Sequence, residues 1–404
     1  MRYGFLLGAL VLVPVLFLLA AQTGAVRPAS VLPGARPPVN AALFESLQAA
    51  LDALPPRGGV VEIPPGDFRI SEPLRLNQGD VLIRGSGTAT HIQNINTSGK
   101  PALIIEPPAG TQSLWRIEIK DLRITGNPKS GHGIVARKID EFFLHGVTVS
   151  YHGGHGVFLD ACYEDPRICD SLITYNKGSG LALRACHDIV VSGNQFEENL
   201  DAVTCIDSFN LCMSGNNLDD HLRHGVVIEN TYGSIVTANM IEECNGFAVV
   251  LDRDCYGITI SANVFAHKGV GGVDLRDAHG CAVSANTFTI VAGKALRIGP
   301  ESGLVVVSGN SFSDSTIGPG VVKRKGNVAT GIVFEGGEKV ACTANAFTNL
   351  TTPAVRAEGG KEALFAGNLV SGCAPGWEEL PSATKIGNLV IESRPKAAHT
   401  KTGK

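Results

Sequence analysis

The eight residues IVVSGNQF at 189–196 return as LCMSGNNL from Leu211, SIVTANMI from Ser234, ITISANVF from Ile258, CAVSANTF from Cys281 and VVVSGNSF from Val305. A sentence repeated every 22 to 24 residues restricts the fold more than any other feature of the chain. Alignment on its asparagine gives a column of Asn194, Asn216, Asn239, Asn263, Asn286 and Asn310, joined after a longer gap by Asn345 and Asn368. Two residues later the column is apolar (Phe196, Leu218, Ile241, Phe265, Phe288, Phe312, Phe347, Val370), and so is the column three residues earlier. Between them stands Ser or Thr, so polar and apolar residues alternate as they do in strands. Each period holds only short β runs separated by Gly and Asn, with no helix-length segment. That pattern predicts an all-β, single-domain, right-handed parallel β-helix in which each coil pairs with the next at about 4.8 Å. The Val and Phe columns then fill the core, and the Asn column stacks at a bend as a ladder of amides.

Weaker copies precede Asn194, and counting them predicts about eleven or twelve coils and a rod on the order of 55 Å. The ends of such a rod need covering, because they expose strand edges and core. NAALFESLQAALDAL from Asn40 supplies an N-terminal helical cap, with Leu43, Leu47, Leu51 and Leu54 on one stripe, Asn40 at its start and Pro55-Pro56 at its stop. Residues 373–391 are candidates to fold over the other end, and 391–404 reads as a basic disordered tail.

The first 25 residues have a different character. Arg2 is followed by an apolar run from Gly4 to Ala21 and small residues to Ala25, which fits a secretory signal peptide or, uncleaved, an N-terminal membrane anchor. Residues 26–39 hold four prolines and read as a linker to the β-helix at 40–390. The expected address is therefore outside the cytoplasm: secreted, periplasmic or in the cell envelope. A formal charge of −4 over 404 residues gives no broad electrostatic grip on nucleic acid. The ten cysteines contain no C-x-x-C pair and several fall in apolar columns, so most are expected as buried small hydrophobes, not disulfides or metal ligands.

The segment after the predicted cap, RGGVVEIPPGDFRISEPLRL and then DVLIRGSG, resembles the opening turns of the pectate-lyase-like (pectin lyase fold) superfamily through Gly58-Gly59-Val60, Ile63-Pro64-Pro65-Gly66 and Phe68. The resemblance spans roughly residues 40–390 and implies the fold. Activity varies on this scaffold among polysaccharide lyases, hydrolases and epimerases. Gly131-His132-Gly133 and Gly154-His155-Gly156 echo one hydrolase motif, but its companions are absent and the only Asp pair, Asp219-Asp220, lies downstream of both. YEDPR at 163–167 shares Tyr, Asp and Pro with an epimerase cluster and lacks its histidine. No subfamily is assigned, and calcium is implied by the resemblance alone.

Columns that face solvent are where function can depart from architecture. Nine residues before the ladder lie Asp207, Asn230, Asp254 and Asp277; one earlier lie Ile206, Glu229, Arg253 and Arg276; seven before lie His187, Phe209, Tyr232, Tyr256 and His279. These predict a strip of carboxylates and arginines beside a stack of rings, a surface suited to sugars and their carboxylates. Carboxylates on adjacent coils would stand near 5 Å apart, a spacing used in glycoside chemistry. The sharp expectation is that Asp254 and Asp277 do acid–base work, Arg276 steadies an anionic group, and Tyr232, Tyr256, His279 and Arg253 contact the substrate, with Asp252 and Asp274 close by. The same pattern equally fits solvated turn charges that pair for small gain. His132, His155 and His224, each just before a strand, form a second set, and an insertion carrying Lys323, Arg324 and Lys325 a third. The functional expectation is an exported protein acting on an acidic or complex polysaccharide as lyase, epimerase or glycoside hydrolase. The alternative is a non-catalytic polysaccharide-binding, adhesion or envelope rod.

Overall fold

The computed structural model describes residues 32–267, 269–314, 328–377 and 383–391. The chain separates into Met1–Arg36 and one compact unit, Pro37–Lys404, and the second is described here. The N-terminal apolar run, the start of the linker, the Lys323-Arg324-Lys325 insertion and residues 392–404 lie outside the described residues. Among the described residues no helix is long and apolar enough to cross a membrane.

The unit is a parallel β-solenoid of about 15 turns. Two walls merge into one 27-stranded sheet, and a third wall is a separate 12-stranded sheet running from Leu74–Leu76 to Val355–Ala357. The expected eleven or twelve coils match the third wall. The merged walls run further at both ends, through Val39–Asn40 and Gly59–Glu62 at the start and Ala383–Ile386 at the finish, where the repeated sentence is absent or worn. Every ladder pairing between neighbouring coils is parallel, as Val191↔Met213, Met213↔Val236 and Val236↔Ile260 show.

The repeated sentence sits where the first wall bends into the second. Ser or Thr faces outward and the following Gly or Ala takes a left-handed turn, with φ between 54° and 68° from Gly193 to Gly387. The Asn then points inward. Glycine accepts that turn freely, whereas Ala238, Ala262, Ala285 and Ala344 carry a steric cost. The ladder offsets it. Asn239 donates both its backbone N–H and its Nδ2 to Oδ1 of Asn263 at 3.0 Å, and Nδ2 also reaches the carbonyl of Met213 on the coil before at 3.3 Å. The same pair of bonds links Asn194 through Asn216, Asn239, Asn263, Asn286, Asn310, Asn345 and Asn368 to Asn388. The long gap between Asn310 and Asn345 does not interrupt it. Upstream, Ser171 ends the ladder by donating its N–H to Asn194 Oδ1 at 3.0 Å, and Leu122 and Val147 take the position as buried apolar residues.

Inside, Phe265, Phe288, Phe312 and Phe347 stack at 4.8, 4.5 and 4.8 Å between ring centres. Trp377 closes this stack edgewise against Phe365 and tilted against Phe347, while residues 383–391 continue as further strands. All ten cysteines are free, and seven are buried. The N-terminal cap is shorter than the leucine stripe predicts. Asn40 caps a 3-10 turn at Ala41–Leu43, and a new start at Ser46 caps the α-helix Leu47–Asp52. Leu47, Leu51 and Leu54 are buried over the first coils, whereas Leu43 is 81% exposed, because the break at Phe44–Ser46 turns it off the stripe.

A second, shorter inward column was not foreseen. His152 N–H donates to Asn176 Oδ1 and Asn176 to Asn199 Oδ1 at 3.0 and 3.1 Å, and His221 follows on the next coil. Both histidines are fully buried, and among the described residues neither His152 nitrogen nor His221 Nε2 has a hydrogen-bond partner. Burial holds both rings down to about 4.

Two outcomes follow from this architecture. Asn239→Ala leaves the buried Asn216 backbone N–H unpaired and removes one bond of its Nδ2, and should cost roughly 2–4 kcal/mol in chemical denaturation; a loss under about 0.5 kcal/mol would mean the ladder is incidental. The buried histidines bind fewer protons folded than unfolded, so stability is whole above pH 6.5 and falls as pH drops from 6.5 to 4, by at most about 3 kcal/mol for each ring. Asp219, raised to about 6, works in the opposite direction over part of that window and offsets only one ring. Denaturation midpoints measured from pH 7 to 4.5 should decline, and His152→Asn, which extends the amide column, should flatten the decline; a flat wild-type profile would contradict the assignment.

Candidate functional site

Several third-wall strands end in a turn built on left-handed residues, among them Asp207, Asn230, Arg253 and Asp254. Short polar side chains tolerate that conformation, which explains why Asp and Asn recur there. The turn then presents one ring per coil. Tyr163, His187, Phe209, Tyr232 and Tyr256 follow one another at 6.3, 5.6, 5.3 and 4.5 Å, and His279 lies in register with Tyr256. Tyr163, Phe209 and Tyr256 are exposed, so the column is a ridge at the corner between the third and first walls.

The seven residues singled out from the columns fall into two groups. Asp254, Asp277, His279, Tyr232, Tyr256 and Arg253 share the ridge. Asp277 Oδ2 accepts the Asp254 N–H at 2.7 Å and Oδ1 meets His279 Nε2 at 2.9 Å, so this carboxylate is fully engaged. The Asp254 carboxylate is exposed. Arg253 Nε donates to Glu229 at 2.6 Å and its Nη2 lies 3.6 Å from Asp207. Arg276 belongs elsewhere. It donates to Asp274 at 2.8 Å and Asp252 at 3.1 Å on the face of the third wall, in a chain continued by Arg297 to Asp274 and Glu335. Arg297 and Lys294 beside Glu335 hold its carboxyl down to about 2.

His132 and His155 stack at 4.9 Å with 7° between their planes, at the entry of consecutive third-wall strands. Their Nδ1 atoms accept backbone N–H groups from the next coil, as does that of His224. A general-base role through Nδ1 is thereby closed, and burial lowers all three pKa values, that of His132 to about 4.

The columns three and four residues after the ladder hold a cluster that the reading of the turn before it passed over. Glu197, Asp219 and Glu242 succeed one another at the end of the second wall, flanked by Glu198, Asp220 and Glu243. Burial first, then Asp220, Glu242 and Glu197, push Asp219 up to about 6. His267 Nδ1 meets Glu242 at 3.1 Å, and Tyr151 and Tyr175 stack at 5.0 Å two coils upstream. The signal was present in the alignment, in columns on the far side of the asparagine. Among the described residues no group of three or more His, Cys, Asp or Glu is arranged to hold a metal ion.

Several solved structures share the fold. The Azotobacter vinelandii mannuronan C-5 epimerase AlgE6 A-module superposes with a TM-score of 0.56 at 16% identity, over 88% of this chain and 100% of that one. The periplasmic alginate epimerase AlgG gives 0.53 at 12% identity over 88% and 84% of the two chains, and the Agl-KA catalytic domain 0.52 at 14% over 89% and 69%. At these identities the likeness is one of fold. No curated protein matches the sequence. The model of the right handed beta helix region matches residues 74–209, 132–288 and 196–317 in overlapping registers, as a solenoid of near-identical coils allows. With the coil-on-coil pairing and the asparagine ladder, this places the chain in the right-handed β-helix family.

Proposed function

We propose that this is an exported protein that acts on an acidic or complex polysaccharide, with sugar rings lying on the corner ridge from Tyr163 to Tyr256. The observation that carries the reading is the ridge itself: exposed rings at one-coil spacing beside a carboxylate–imidazole pair. Pyranose faces stack on aromatic rings, and a row of rings offers successive subsites. Two solved proteins of this fold are named as mannuronan epimerase and alginate epimerase, which agrees with a role on polysaccharide.

In this reading His279 is the proton-transfer group. Asp277 fixes its Nε2 side, and among the described residues Nδ1 has no hydrogen-bond partner. Such a pair serves either removal of a proton beside a sugar carboxylate, as lyases and epimerases require, or protonation of a glycosidic oxygen. Asp254, held next to Asp277 through its own N–H, is the second carboxylate of the pair. Arg253 faces the same turn and steadies an anionic group, and Arg276 keeps Asp252 and Asp274 in place behind it. A binding role without turnover is the second reading. It is favoured by Asp207, Glu229, Asp252 and Asp274 all being tied to arginines.

The test is incubation with a panel of uronate-containing and neutral polysaccharides, read as chain shortening, unsaturated ends or changed C5 configuration. His279→Gln should lower turnover by roughly 100-fold or more without changing the melting temperature, and Tyr256→Ala should raise KM several-fold with kcat nearly kept. Full activity in His279→Gln would sink the catalytic assignment, and retention on a polymer with no turnover in wild type would leave the binding role.

A further inference from the structure

The outer face of the third wall, upstream of the corner ridge, carries a cluster that the proposed chemistry does not use. Its centre is the half-buried Phe158 ring. The His132 and His155 rings lie 5.6 and 5.8 Å from it on one side, and the Arg184 guanidinium lies 5.4 Å from it on the other. These residues come from three successive coils, brought together by the pairing Val135↔Phe158↔Ala182.

The hydrogen bonds fix what this cluster can offer. Nδ1 of His132 accepts the N–H of His155 at 2.8 Å, and Nδ1 of His155 accepts the N–H of Ser179 at 2.9 Å. A neutral imidazole has a single ring proton, which must then sit on Nε2. Parallel stacking turns both Nε2–H groups the same way, and among the described residues neither has a partner. The arginine is arranged to the same effect. Arg184 forks onto Asp160 at 2.9 and 2.6 Å, with the guanidinium side chain 56% exposed and the carboxylate 19%. Arg137 approaches Asp160 from the other side at 3.9 Å. The motif recurs downstream, where Arg223 forks onto Asp201 with 52% and 0% exposure. In each pair the carboxylate lies beneath and the guanidinium on top. A surface nearly neutral by residue count therefore presents donors outward and keeps its acceptors below.

We propose that this platform is a binding site for the anionic group of a glycan, a carboxylate or a sulfate. Arg184 takes it in a charge-assisted contact, the Nε2–H groups of His132 and His155 donate to it, and Phe158 steadies the guanidinium and underlies the sugar ring. A planar guanidinium already oriented by its carboxylate loses little freedom on binding. Neutral imidazole donors fixed by the backbone add direction without adding charge. The proposal draws on the saccharide reading only in taking the ligand to be a glycan; it does not depend on His279 or on turnover.

The test uses the full chain and three labelled oligosaccharides of equal length: an oligouronate, its carboxyl-reduced counterpart and a sulfated oligomer. Binding is followed by fluorescence anisotropy at two salt concentrations. At least one anionic oligomer should bind roughly tenfold or more tightly than the reduced one and weaken with salt, and the tighter of the two identifies the group. Arg184→Gln, on the exposed side of its pair, should weaken that binding about fivefold or more, and H132F/H155F should weaken it similarly. Should the double variant melt early, Arg184→Gln alone decides. Equal affinity for the reduced and anionic oligomers, or wild-type affinity in Arg184→Gln, would overturn the proposal. Loss of turnover in His279→Gln with this pattern intact, or the reverse, separates the two sites.

Discussion

The ladder bond from one asparagine to the next is the interaction on which the rest depends. It joins each Nδ2 and backbone N–H to the Oδ1 one coil away, at 2.9 to 3.0 Å, from Asn194 to Asn388. A parallel sheet can slip its register where side chains are interchangeable. An inward amide with two donations to satisfy cannot slip without leaving buried polar atoms unpaired, at a cost above that of most surface contacts. The ladder therefore locks coil to coil, and every other column inherits its alignment. The phenylalanine stack from Phe265 to Phe347 is one consequence, and the ring ridge on the opposite side of the coil is another.

Register also decides how charge is used. Where a column repeats one sign without an intervening cation, as in Glu197, Asp219 and Glu242, carboxylates crowd and one is pushed up to about 6. Where signs alternate between coils, as in Asp160 and Arg184 or Asp252 and Arg276, they pair across the gap. Which partner ends up on top depends on side-chain length. In Asp160–Arg184 and Asp201–Arg223 the short aspartate stays near the wall and the long arginine reaches over it, so these pairs turn their cation outward. The carboxylates that a column reading favours as free acids are mostly committed to such pairs. Among the described residues of the third wall and its corner, His279, Asp254 and the Nε2 atoms of His132 and His155 keep unengaged atoms.

Much of the fold was legible because spacing alone fixes neighbours in a solenoid. The Asn column, the alternating core and the ring ridge all follow from counting. Three things did not. The leucine stripe from Leu43 to Leu54 carries no sign of the break at Phe44–Ser46, because the second cap, Ser46, is an ordinary serine until its bond to Ala49 N–H is seen. The depth of the merged walls was hidden at the ends: at the start apolar residues replace the ladder, and at the finish the sentence around Asn388 is worn. For the site, counting put Asp254, Asp277 and Arg276 together. It could not show that Arg276 folds back onto Asp274, since periodicity fixes Cα neighbours and leaves the direction of a long side chain open. The crowded acids at Glu197–Glu243 were readable in the same alignment and were missed by looking only to one side of the asparagine.

Register gathers rings, donors and an oriented imidazole on the third wall and the corner that follows it, which is where we propose that the polysaccharide binds. A crystal structure with a bound oligouronate tests this most directly. Sugar density over Phe158 or along Tyr232 and Tyr256, with a carboxylate near Arg184 or Arg253, is the predicted result. Density confined to the outer faces of the merged walls, with the third wall and its corner empty, would contradict it.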